Sequence, residues 1–318
     1  MKRVVCWIAV SVLAVAACRK NESSSGALAG AELDLFRNVP AGNNLVFGGS
    51  YAKLQNFMQR SAVGRMSKDA AESVGGKALA DWLQCFADMA NLKFAGGARF
   101  GGGGGELRMV MTGVGIADIA ACATKSQFKA IPDADGKFVA VEMPGPSGPM
   151  TGGYLLIGDR TLYTRAAVNL AGGTVVSATR GELEADLASA KQKSVATDSA
   201  LQSTIAKVDR TKTVWFAGNA ANTPLADKIG EVYGAIAIES GFGLDLMVQF
   251  TDEQLQEMIE TNIDQVKRMA DSAKEPAMKR LVDNLGARRI GDRMRITLQV
   301  SDADADALFN MIGGMGGR

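Results

Sequence analysis

The chain has no histidine, only 4 cysteines and 7 prolines in 318 residues, and an aromatic content of 6%. Without histidine there can be no Ser-His-Asp triad, no Cys-His nucleophile and no histidine-bearing zinc site. A lysine-activated serine or a carboxylate pair is still chemically available, but no motif for either is present. Neither sign of charge dominates: Lys and Arg number 35, Asp and Glu 34. That balance lacks the basic excess of a nucleic-acid binder. Long hydrophobic runs are missing too, since no uncharged stretch reaches the roughly 20 residues a spanning helix needs.

What is present suits a packed body. Apolar residues make up 47% and charged residues 22%, the balance of a globular protein, and the length allows two ordinary domains. At the front, Lys2 and Arg3 precede the uncharged stretch Val4 to Ala17. It is too short to span a bilayer and ends in small residues, which is the pattern of a secretory signal. Val15, Ala16, Ala17 and Cys18 resemble the lipobox of bacterial lipoproteins. The resemblance implies cleavage after Ala17, diacylglycerol on the Cys18 thiol and acylation of the new amino terminus. Several acyl chains hold a protein far more firmly than one, and the membrane contact then runs through the lipid alone. Arg19 follows the cysteine where the familiar enterobacterial rule reads aspartate as retention. The implied address is the cell envelope, at the outer membrane and facing the periplasm.

The expected division is a signal over 1–17, the lipidated cysteine and a flexible tether over 18–32, a first α+β domain over 33–208 and a second over 209–318. In the first, "NNLVFGGS" reads as a strand, followed by helical stretches between Ala52 and Asn91. The extended runs "LKFAGGARF" and "ELRMVMT" flank Gly101 to Gly105. A helix around Ile116 to Lys125 then leads to the strand "KFVAVEM". This order, β-α-β-β-α-β, is that of a split ferredoxin-like unit. The second domain echoes it: "TVWFAGN" parallels "LVFGGS", a helix is expected around Pro224 to Glu231, and "YGAIAIES" and "GLDLMVQF" form a hairpin through Gly241. A long helix follows from Thr251, with Thr251 and Gln254 as a capping box, then a helix opened by Pro276, and the strand "DRMRITLQV" closes the chain. Between the two, a hairpin turns at Gly158 and Asp159, Thr179 and Glu182 cap a helix, and another helix spans Ser199 to Val208. The expected fold class is α+β, with two ferredoxin-like halves, antiparallel sheets and helices packed on one face.

Processing would remove Cys6 and modify Cys18, leaving Cys85 and Cys122 in a compartment that permits disulfides. On a helical wheel each sits on the same flank of its helix's apolar stripe, which brings the two together if the helices run antiparallel. A disulfide and two separately buried thiols are the alternatives. Other short patterns favour structural readings. Gly113, Gly115 and Asp118 in "TGVGIAD" fit a strand-to-helix turn better than a dinucleotide fingerprint, and Gly101 to Gly105 lack the Lys-Ser/Thr of a phosphate loop. Asp302, Asp304 and Asp306 lack the glycine and glutamate of a calcium loop, and Ser301 with Asp304 fits a helix cap. Asp133 and Asp135 fit a turn. Arg288, Arg289, Arg293 and Arg295 form the basic cluster, best read as a solvated sheet face balanced by nearby aspartates.

With "VPAGNNLVFGGSYAKL" and "DRTKTVWFAGNAANTPLADKIGEVYG" as its distinctive stretches, the mature chain resembles lipoproteins of the myxobacterial type. That resemblance brings no activity, ligand or catalytic residue with it. The expected function is a non-catalytic envelope lipoprotein, an interaction or structural module that binds another envelope protein and needs no cofactor. The alternative is a carrier or sensor of a hydrophobic, lipid-like ligand, suggested by the methionines of "MVM" and "MIETNIDQVKRM".

Overall fold

The computed structural model describes residues 28–50 and 77–307, apart from 79, 83, 87, 90, 102–103, 146–147, 170–173, 221–222, 224–225, 239–240, 272–275 and 306. The signal, Ala17, Cys18, most of the tether and, of the helical stretches expected between Ala52 and Asn91, the part up to residue 76 lie outside the described residues. Helix α1 (Gly30–Phe36) is followed by strands β1 (Leu45–Ser50), β2 (Lys93–Gly101) and β3 (Gly104–Thr112), helix α2 (Ile116–Lys125), and strands β4 (Lys129–Pro132), β5 (Phe138–Gly145), β6 (Gly148–Gly158), β7 (Thr161–Asn169) and β8 (Thr174–Ser177). Then come α3 (Arg180–Gln192), a 3-10 turn (Val195–Thr197), α4 (Ser199–Ile205), β9 (Val214–Asn219), β10 (Ile229–Ala237) and β11 (Phe242–Phe250). The chain continues through α5 (Glu253–Asp271), α6 (Pro276–Asp283), β12 (Gly286–Ile290) and β13 (Arg293–Val300). Helical residues also lie between 77 and 86.

The fold is mixed α+β, built on one large antiparallel sheet. Among the described residues it has 13 strands, ordered β12-β13-β11-β10-β9-β1-β2-β3-β7-β6-β5-β4, with β8 against β7. Every pairing is antiparallel. Two separate sheets are therefore not formed, because β1 and β9 pair and join the halves. A β-α-β crossover would set parallel strands in the sheet, whereas here β1 lies directly beside β2 and runs against it.

At the junction Phe47 stands opposite Phe216. Each faces a glycine in the next strand outward, Gly96 on β2 and Gly234 on β10. A Cβ at Gly96 would come within 2.5 Å of the Phe47 ring, and one at Gly234 within 2.9 Å of the Phe216 ring. The glycines give the rings their seats, and the row across the sheet reads Met109, Gly96, Phe47, Phe216, Gly234, Leu246.

Side chains alternate between faces along each strand, and both faces carry apolar residues. On the Phe47 face, Phe94, Met111, Leu162, Val214 and Ile236 pack with Trp82 and Phe86 and with Ile119, Cys122 and Ala123 of α2. Further along the same face, Val248 and Met294 pack with Leu255, Ile259 and Ile263 of α5. The opposite face buries Val46, Ala95, Val110, Trp215 and Ala217 under Phe36 of α1, Leu183 of α3 and Leu201 and Ile205 of α4. Helices thus cover both faces rather than one. The second layer is required because the alternate positions at the centre of the sheet are apolar as well.

Two local expectations are corrected. No helix spans Pro224 to Glu231: the chain turns at 226–228 and is strand from Ile229. Helix-forming residues there yield to the ladder that β9 offers, with Glu231 opposite Asn219 and Val232 opposite Gly218. The cap of α5 is Asp252, whose carboxylate accepts from Leu255 N–H at 3.2 Å, while the Thr251 hydroxyl donates to the Asp227 carbonyl. The box at Thr179 and Glu182 is formed, with Thr179 N–H donating to Glu182 at 2.7 Å.

Cys85 and Cys122 are joined by a disulfide across a sequence separation of 37 residues. Closing a loop of that length stabilises the folded state by about 4 kcal/mol on the chain-entropy relation. Reduction is expected to lower the denaturant midpoint of the wild type and to leave a Cys85→Ser, Cys122→Ser variant unmoved. Equal midpoints for the wild type with and without reductant would refute the linkage.

Candidate interaction surface

The patterns singled out in the sequence serve structure. Gly113 takes φ +87 between β3 and α2, and Asp118 accepts from Gly115 N–H at 2.8 Å and from Arg160 at 2.9 Å. This is a strand-to-helix turn. Asp133 and Asp135 are gripped by Arg180 at 2.9 and 2.8 Å. Asp304 N–H donates to the Ser301 hydroxyl at 3.1 Å, which caps the last helical turn, and the Asp304 carboxylate accepts from Arg280 at 2.7 Å. Arg293 and Arg295 share one face: Arg293 donates to Glu231 at 3.0 Å and Arg295 grips Asp245 through two nitrogens. Arg289 points to the other face and holds Glu253. Among the described residues no three His, Cys, Asp or Glu side chains are arranged to hold a metal ion.

Three lowered carboxylate pKa values follow the same logic. Hydrogen bonds from Arg280 and Ser301 hold Asp304 below its ordinary 3.8. Asp135 is lowered by Arg180 and then by Lys137 N–H, and Glu182 by the Thr179 N–H and hydroxyl. Each shift belongs to a cap or an ion pair. A folded pKa below the unfolded one adds stability that is present above the unfolded value and is lost as pH falls through the folded value. Asp304→Asn is therefore expected to lower stability near neutral pH, with the gap to wild type closing as pH drops well below 3.8. Denaturant melts across that range check it, and a gap of constant size would contradict it.

One cluster has no counterpart in the sequence reading. Arg108 on β3 lies directly opposite Arg165 on β7, a like-charge pair that repels unless neutralised. Glu106 bridges the two, accepting from each at 2.8 Å, and Asp186 of α3 accepts from Arg108 at 3.2 Å. The Tyr163 hydroxyl donates to Asp186 at 3.1 Å. Burial, and then the charge of Asp186, push the Tyr163 phenol far above its usual range, so it stays protonated and remains a donor. The signal was the alternate spacing of Glu106 with Arg108 and of Tyr163 with Arg165, but it becomes meaningful only once β3 is known to pair with β7. Arg108 and Asp186 are both buried and every charge is met, so the cluster pins α3 to the sheet and offers nothing to a substrate. Removing one partner of a buried pair strands the others. Asp186→Ala is expected to cost about 3–5 kcal/mol in chemical denaturation, and a cost below 1 kcal/mol would exclude that role.

The Phe47 face is less completely covered toward the Gly101–Gly105 end of the β2–β3 hairpin. Leu45, Ala98, Leu107 and Ala166 form a row across four neighbouring strands, and Phe100 lies one step further along β2. Phe100 is 43% exposed and Leu107 39%. Gly105 opposite Phe100 leaves its ring a seat, for a Cβ there would sit 3.2 Å from the ring edge. Phe100 N–H is anchored on the Asn44 side chain at 2.7 Å. This open corner can take apolar contact, and among the described residues it brings together no acid, base or nucleophile. The methionines divide: Met111 is buried in the core, Met109 is partly buried against it, and Met258 on α5 is exposed.

No protein-family model matches the chain, and a search of curated proteins finds no significant match. Among solved structures, crystal form III of TP0453 matches at 13% identity, covering 90% of this chain and 100% of that chain with a TM-score of 0.49. Crystal form IV of TP0453 matches at 14% identity, covering 88% and 96%, with a TM-score of 0.48. Scores at this level carry no argument about function.

Proposed function

We propose that this protein is a lipid-anchored, non-catalytic module of a bacterial cell envelope that binds another envelope protein through the open apolar corner at Phe100 and Leu107. The observation that carries the reading is the exposure of these two large side chains, on one face of neighbouring strands. Clustered exposed apolar side chains mark contact sites more often than isolated ones do. The sequence supports the address through Ala17 and Cys18, as the cleavage point and the lipid-bearing residue. Among the described residues no helix is long and apolar enough to cross a membrane. The same reading keeps the outer membrane, periplasmic side, as the location.

The two halves, expected from the sequence as ferredoxin-like, enter this reading as two related copies of one unit joined within a single sheet. The echo of "LVFGGS" in "TVWFAGN" supports it, as does the facing of Phe47 with Phe216 and of each with its own glycine. A second functional reading, a carrier of a hydrophobic ligand, draws on the same corner, since an acyl chain also seeks apolar surface. The two separate by experiment.

A photo-reactive residue placed at position 100 or 107 of the lipidated protein in its own envelope is expected to form an adduct with one protein partner, and Leu107→Asp to abolish it without loss of stability. Adducts with lipid alone would favour the carrier. Absence of any adduct would defeat both. The anchor is tested separately: Cys18→Ser should abolish incorporation of a labelled fatty acid and release the protein from membranes.

A further inference from the structure

We propose that the β12 edge of the sheet receives an extended acidic segment of a partner protein, which adds a strand beside β12 and places a carboxylate against Arg288 and Arg295. This surface is distinct from the corner at Phe100 and Leu107 and does not depend on it.

Among the described strands the sheet ends at β4 on one side and at β12 on the other. The two ends differ. β4 is four residues long and closes with Pro132, which has no N–H to give. β12 is five residues long, contains no proline and exposes Arg288, Arg289 and Ile290. An unpaired edge presents backbone donors and acceptors to an incoming strand.

Charge selects what can be added. The sheet contains two arginine pairs that face each other across neighbouring strands, Arg108 with Arg165 and Arg288 with Arg295. The interior pair is neutralised by two carboxylates, Glu106 and Asp186. The edge pair has one, Asp245, and both of its oxygens are engaged by Arg295. No carboxylate among the described residues pairs with Arg288. Arg289 cannot serve this face, because it sits one residue on, points to the opposite side and holds Glu253. The edge pair therefore lacks the second anion that its interior counterpart has. Two residues along, on the same face as Arg288, Ile290 is 46% exposed. A strand with an acid and an apolar residue two positions apart would meet both.

A second copy of this chain fits less well. Antiparallel pairing of β12 with itself about Arg288 would set that arginine against its own image, and like charges directly opposed disfavour this; the β4 edge carries no carboxylate and its Lys129 is already held by Glu142. A lipid phosphate would satisfy the arginine but would leave the backbone edge and Ile290 unused.

The test uses the purified full-length protein and a short peptide repeating Asp-Thr-Val-Thr, which sets aspartate and valine two positions apart on one face, with a Lys-Thr-Val-Thr peptide as control. The expected result is binding of the acidic peptide alone, weakened by added salt, with slowed hydrogen exchange at the β12 amides. Arg288→Glu should weaken it roughly tenfold or more, Arg288→Lys should largely preserve it, and Leu107→Asp should leave it unchanged. Among the described residues Arg288 has no ion pair to lose, so its variants should keep the fold, and an unchanged thermal midpoint confirms this. The proposal is overturned if the two peptides bind equally, if neither binds, or if β12 amides are unprotected in the complex. It is overturned equally if the edge is occupied by a second copy, seen as a dimer that Arg288→Glu alters, or if only phosphatidylglycerol vesicles bind in an Arg288-dependent way.

Discussion

The pairing of β1 with β9 is the contact on which the rest of the molecule depends. Without it the chain would present two smaller sheets, each with an open central edge. With it, Trp215 of β9 comes to lie across Gly48 of β1 and 5.5 Å from Phe36 of α1, so a side chain from the second half completes the core beneath the first. Close approach is what permits this. The rows through Phe47 and Phe216 work because the neighbouring positions have no side chain, and burying large rings over glycine gains apolar contact without spreading the strands.

Electrostatics then divides the surface into closed and open parts. In the interior, Arg108, Arg165, Glu106, Asp186 and Tyr163 satisfy one another, and such a set specifies where α3 sits more than it adds net stability. Elsewhere carboxylates serve caps or surface pairs with lysine and arginine. Against that background an exposed phenylalanine beside an exposed leucine, or an edge arginine without a carboxylate, stands out as a place for another molecule. Binding at these two places is the function proposed for the protein.

Much of the local structure was legible. The alternation in "LVFGGS" and "ELRMVMT" coincides with β1 and β3, and α2 begins and ends at Ile116 and Lys125 as its spacing implies. The Thr179 and Glu182 box and the helix opened by Pro276 are local chemistry, readable because cap and helix are adjacent in the chain. Long-range facts were not. That β9 lies against β1, that β3 lies against β7 and that Arg108 therefore meets Arg165 are matters of sheet order, to which alternation along one strand is blind. The expected helix at Pro224 to Glu231 failed for the same reason, since its residues favour helix but their neighbour in space is a strand. β4 escaped notice because "KAIP" is too short to show a period.

The seam between Phe47 and Phe216 also governs the order in which the molecule can assemble. Its partners lie about 170 residues apart in sequence, while β2 with β3 and β10 with β11 are joined by short connections. Contacts of high sequence separation close slowly, after local hairpins have formed. During that interval β1 and β9 each expose a strand edge of nearly the same pattern, and two chains waiting side by side can exchange halves.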